Sequence, residues 1–152
     1  MSKTDLKGLG TNTLFSDSAA IILKKKYKDA AKKAGRFLDD CSVENLHSLR
    51  ISIRRLRYSL ENYEVCFSRN SFQRNIDYLK NLQDLIGVGR DLDMIKEHID
   101  SLALECQVAI EEVFYECIRD KKNKSLHEIK LELLKFLHNK DVRNFFLDKK
   151  ED

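Results

Sequence analysis

A chain of 152 residues, 42% hydrophobic and 35% charged, is long enough for one domain with its own core and too apolar for a disordered segment. Zero prolines and only five glycines exclude a turn-rich β architecture and favour long helices. The net charge of +3, from 28 Lys and Arg against 25 Asp and Glu, names no partner, so a polyanion site has to come from local clustering.

Residues 1–15 carry Gly8 and Gly10 among Ser and Thr without periodicity and read as a flexible tail. Ser16 or Ser18 can cap a first helix that reaches about Asp39. Its apolar Leu23, Tyr27, Ala30, Ala34 and Phe37 recur at steps of four and three, the spacing of a helix packed in a bundle, with Lys24, Lys28 and Lys32 around the rest. Ser42 is the next expected cap, with Glu44 in a first turn where the helix dipole favours an acid. The second helix carries Leu46, Leu49, Ile53, Leu56, Leu60, Tyr63 and Phe67 in the same rhythm.

The segment "SRNS" at 68–71 breaks that helix, and Ser71 can cap a third, with Ile76, Leu79, Leu82 and Ile86 inward. Gly87 and Gly89 either kink or end it before the pattern resumes through Ile95 and Ile99. A last helical region is expected from about Leu102 to Leu137, weak at "DKKNKS" (120–125) and followed by an apolar tip, "VRNFFL", and a charged tail at 149–152. Four long helices make an all-α antiparallel four-helix bundle over residues 16–148 the expected architecture.

No run of about 18 apolar residues marks a membrane span, and the N-terminus lacks a secretory apolar region. Cys41, Cys66, Cys106 and Cys117 are widely spaced without a C-x-x-C pair, so buried thiols in a reducing cytoplasm are expected.

One stretch departs from the balanced charge. "HSLRISIRRLRYSL", His47 to Leu60, holds four arginines, a histidine and no acid. His47, Arg50, Arg54 and Arg57 follow at steps of three, four and three, so they rise in one line beside the apolar seam, while Arg55 points elsewhere. Like charges at this spacing repel by about 0.2–0.5 kcal/mol per pair, which something must offset. Two sources fit. Acids on a neighbouring helix would do so, and "GRDLD" supplies Asp91 and Asp93; a phosphate chain would also, because a guanidinium fork matches phosphate oxygens and stays charged. His47 is either an ordinary helix-start histidine or a further donor to the same anion.

Other chemistries are poorly supported. Glu44 and His47 spell the E-x-x-H of carboxylate-bridged di-iron bundles, but His98, His127 and His138 follow Ile95, Lys124 and Lys135, so the second motif is missing. "GVG" lacks the rest of a nucleotide fingerprint, and no nucleophile has an adjacent base. No catalytic residue, metal ligand or cofactor is assigned. Nucleic acid is disfavoured, since only Tyr58 accompanies the arginines and no recognition motif is present.

"HSLRISIRRLRYSLE" resembles the H-x-x-R-[VI]-x-x-R-R-L-R signature of the CHAD family of histidine-containing α-helical domains. About thirty residues on, "LKNLQDLIGVGRDLDMI" is similar to that family's L-x-x-L-G-x-x-R-D-L-D, and "LHNKDVRNFF" resembles its final helix tip. The resemblance covers residues 16–147 and implies a non-catalytic helical module that binds inorganic polyphosphate. Carried onto this chain, it makes His47, Arg50, Arg54, Arg55, Arg57 and Arg90 the expected ligands, with Lys24, Lys28 and Lys32 a weaker lining. Asp91 and Asp93 become salt-bridge partners that orient the basic side chains. The family usually pairs two such bundles, whereas each signature occurs here once. Two chains are therefore expected to associate as a homodimer, held by Phe145, Phe146 and Leu147.

Overall fold

The computed structural model describes residues 14–148, which form five α-helices and one 3₁₀ turn, with no strand among the described residues. The helices are α1 (Phe15–Asp39), α2 (Val43–Asn62), α3 (Arg69–Cys106), α4 (Glu112–His138) and α5 (Lys140–Leu147), and the turn spans Glu64–Cys66. The tails expected at 1–15 and 149–152 lie outside the described residues, apart from Leu14 and Phe15, which open α1. Ser16 and Ser18 sit inside the first turn of α1; Leu14 is the cap residue and supplies no side-chain hydrogen bond.

The expected seams are buried on α1 (Leu23, Tyr27, Ala30, Ala34, Phe37) and on α2 (Leu46, Leu49, Ile53, Leu56, Leu60). Tyr63 and Phe67 fall beyond the end of α2 but still pack partly buried on the core. Ser42 caps α2 by accepting from the Asn45 N–H (3.3 Å), while the Asn45 side-chain amide donates back to the Asp40 carbonyl (2.9 Å). Both bonds from Asn45, to Ser42 and to Asp40, fix the α1–α2 corner and the direction in which α2 leaves it.

α3 starts earlier than expected. Ser68 is its cap, and the Ser71 N–H is the donor it receives (3.4 Å). The helix then runs unbroken through Gly87 and Gly89 for 38 residues. Gly89 serves packing: a Cβ there would lie 2.8 Å from Ile129 Cδ1, 3.3 Å from Ser125 Oγ and 3.4 Å from Leu46 Cδ2. At Gly87 nothing lies within 4 Å of that position.

The helix ends where Gln107 turns left-handed (φ 55°), and its N–H closes onto the Ala103 and Leu104 carbonyls. The expected last region is thus divided, residues 102–106 belonging to α3, and α4 passes through "DKKNKS" without a break. Ile95 and Ile99 do not prolong the core; Gly89 and Asp93 are the last buried positions of α3.

α1 packs on α2, α2 on α3 and α3 on α4, and both α4 and α5 return to α1. The Tyr27 hydroxyl donates to the Phe136 carbonyl (3.2 Å), and burial pushes its pKa up. Two further sequence expectations fail. Phe145, Phe146 and Leu147 are no loose tip for a second chain: Phe146 stacks on Tyr27 (5.2 Å) and Phe145 tilts against Phe67 (4.8 Å), because Asn139 caps α5 and turns it back onto α1. The thiols are not buried either. Cys41, Cys106 and Cys117 are exposed and Cys66 half-buried, all unbridged, since they fall at helix ends or away from the seams.

Candidate anion-binding surface

The basic line is set by where α2 buries its apolar side. With Leu46, Leu49, Ile53, Leu56 and Leu60 inward, the steps of three and four carry His47, Arg50, Arg54 and Arg57 up the flank of the helix. From His47 to Arg57 the line covers about 15 Å at 1.5 Å per residue. His47 and Arg54 are exposed, Arg50 and Arg57 half-buried; Arg55 is exposed outside the line. Stems lying on the apolar seam with guanidinium heads in water are the favoured state for arginine at such an edge.

Among the described residues, an ion pair reaches only one of these arginines. Arg57 Nε lies 3.6 Å from Glu61 Oε1, one turn on, and its guanidinium sits 4.6 Å above the Tyr58 ring. Among the described residues no carboxylate forms an ion pair with Arg50, Arg54 or Arg55. The aspartates of "GRDLD" do not supply it. Asp93 is buried and meets Lys122 Nζ of α4 at 2.5 Å, while Asp91 is exposed. Steps of two place them on nearly opposite sides of α3, so one enters the α3–α4 contact and the other faces solvent.

Arg90 follows Gly89, whose packing against Leu46 puts this part of α3 beside the start of α2. Its Nη1 is shielded from solvent and has no hydrogen-bond acceptor among the described residues. Such a donor costs about 1–3 kcal/mol until an oxygen reaches it. Lys24, Lys28 and Lys32 are exposed on α1. Taking about 100° per residue, Lys32 lies nearly opposite the buried seam of α1, so this row turns progressively away from the core.

Three participants escaped the sequence reading: Glu61, which engages Arg57, and Lys122 and Ser125, which close over Asp93 and Gly89. Glu61 was visible as an i,i+4 partner; Lys122 was hidden in a lysine-rich run that reads as a helix interruption. Asp93, Lys122 and Ser125 line a small cavity of about 40 Å³ with Phe37, Leu46 and Ile129. Among the described residues no group of three or more His, Cys, Asp or Glu is placed to hold a metal ion, and no helix is long and apolar enough to cross a membrane.

No curated protein and no solved structure matches the chain significantly. The CHAD domain family model matches residues 5–100, more than half of the chain, a span that includes α1, α2, the basic line and α3 as far as Asp100. CHAD domains are in general binding modules without catalytic activity and are linked to polyphosphate. With both signatures inside the matched span, the chain belongs to the CHAD domain family.

Proposed function

We propose that this protein binds inorganic polyphosphate along α2, through His47, Arg50, Arg54, Arg55 and Arg57, with Arg90 from α3 at the His47 end. Lys24, Lys28 and Lys32 add positive potential from α1. In this reading the four long helices act as an antiparallel bundle equivalent to one half of a two-bundle domain. The observation that carries the proposal is the set of arginines without a carboxylate partner among the described residues, on a helix that gains nothing from stacking like charges.

A flexible polyanion supplies the missing acceptors at once. Each guanidinium engages phosphate oxygens in a fork and holds its charge at every relevant pH. Binding releases counterions, so affinity falls steeply with salt. The chemistry needed is capture only: no proton transfer or bond cleavage is assigned to any residue.

Long-chain polyphosphate titrated against heparin and RNA of equal charge tests the reading. Tighter binding of polyphosphate is expected. Equal affinity for all three would reduce the line to a diffuse positive field, and no binding at low salt would remove the proposal altogether.

A further inference from the structure

Beyond the bundle, the second half of α3 carries an apolar seam that the fold leaves open. Leu85, partly buried against the core, opens the run, and Val88, Leu92, Ile95, Ile99, Leu102 and Cys106 carry it outward at alternating steps of three and four, the a/d pattern of a coiled coil held over three heptads. Val88 is 53% exposed, Ile95 45% and Leu102 57%, with Leu92 and Ile99 half-buried between them. The seam is not the face that meets α4. That face carries Gly89 against Ile129, Asp93 against Lys122, and Asp100, which accepts from the Tyr115 hydroxyl at 2.8 Å. Scattered apolar residues on a surface are ordinary, but a continuous regular seam about 30 Å long marks an interaction surface.

We propose that a second copy of this chain covers the seam, the two α3 helices running parallel about a two-fold axis. The charges beside the seam select that partner. One flank carries Asp84, Asp91, His98 and Glu105; the other carries Lys96 and Ala103, the preceding position of that row being Gly89, buried against α4. In a parallel pair the two flanks face each other, so Asp91 meets the partner's Lys96 on both sides of the axis. Lys96 already pairs with Asp100 of its own helix (2.7 Å) but stays half-exposed, with further N–H groups to donate. The antiparallel arrangement would set Asp84 against the partner's Glu105 on both sides. Closed two-fold dimers are also the commonest soluble assembly.

The proposal is independent of the polyphosphate reading and is tested without that ligand. Sedimentation equilibrium of the full chain is expected to give the mass of two chains. Ile95→Glu and Leu102→Glu should each give a single chain with unchanged helical circular dichroism. Leu131→Glu, at an exposed apolar position of α4, should remain dimeric. Parallel seams bring Cys106 to its twin, so oxidation with diamide should yield a covalent dimer that Cys106→Ser abolishes. A wild type that sediments as one chain at every concentration, or a dimer that survives both glutamates, would overturn the interface. A dimer that diamide does not link through Cys106 would overturn its parallel direction.

Discussion

Arg54 stands exposed one turn above Arg50 with no carboxylate partner among the described residues, which leaves its guanidinium to a ligand, whereas Arg57 already lies against Glu61 and Tyr58. Lysine at 54 would keep the charge and lose the fork. Arg54→Lys should therefore weaken polyphosphate binding by about 1 kcal/mol, roughly fivefold in Kd, by isothermal titration calorimetry. Arg57→Lys should cost less. At Asp93 the concern is stability. Lys122→Met strands a buried carboxylate and should lower unfolding free energy in urea by about 1–3 kcal/mol, less than for a fully buried pair because Lys122 is half-exposed. Adding Asp93→Leu should restore much of that loss; no restoration would mean that Lys122 acts elsewhere. The sequence showed Asp93 as a charge two positions from Asp91, but not that one of them enters the core, which depends on where α4 lies.

Helix interiors were legible because their apolar steps are regular: the seams of α1 and α2 are buried as spaced, and Ser42 caps as read. Helix ends were less so. Two serines compete at 68–71, and the geometry of the turn decides for Ser68. The α3–α4 boundary has neither glycine nor proline; it depends on a left-handed Gln107, which leaves no composition signal. The two α3 glycines read alike in sequence and differ in surroundings. Gly87→Ala should raise stability by about 0.5–1 kcal/mol through helix propensity. Gly89→Ala should lower it, because its Cβ presses on buried Ile129 by more than propensity returns. Urea titrations of the pair check both signs, and a destabilised Gly87→Ala would contradict the open surroundings.

The far end of α3 carries its own pH dependence. The Lys96 hydrogen bond, with that of Tyr115, holds the Asp100 carboxyl below its ordinary value of 3.8. A depressed carboxylate contributes stability that is fully present above the unfolded value and is lost as pH falls through the folded one. The α3–α4 end should thus loosen in acid below that ordinary value. NMR titration of residues 96–115 reads this, and Asp100→Asn should remove the transition; an unchanged transition would assign it to another group.

At the scale of the whole molecule, the family was legible in two short signatures, and the helical fold in the absence of proline together with regular seams. The packing of α5 was not, because "VRNFFL" gives no sign of whether its aromatics turn inward; only the Asn139 cap and the Tyr27 and Phe67 rings decide it. Nor could composition say whether the arginines of α2 are neutralised within the protein. That question separates a polyanion-binding surface from a salt-bridged scaffold. Titration of long-chain polyphosphate at two salt concentrations, into wild type and into the Arg50→Ala, Arg54→Ala double variant, with thermal unfolding of both, tests it most directly. A binding surface predicts salt-sensitive affinity that falls sharply in the double variant, a shallower salt slope, and unfolding temperature held or raised as repulsion is relieved. Unchanged affinity with lowered unfolding temperature would contradict it and identify the line as a structural ion-pair network.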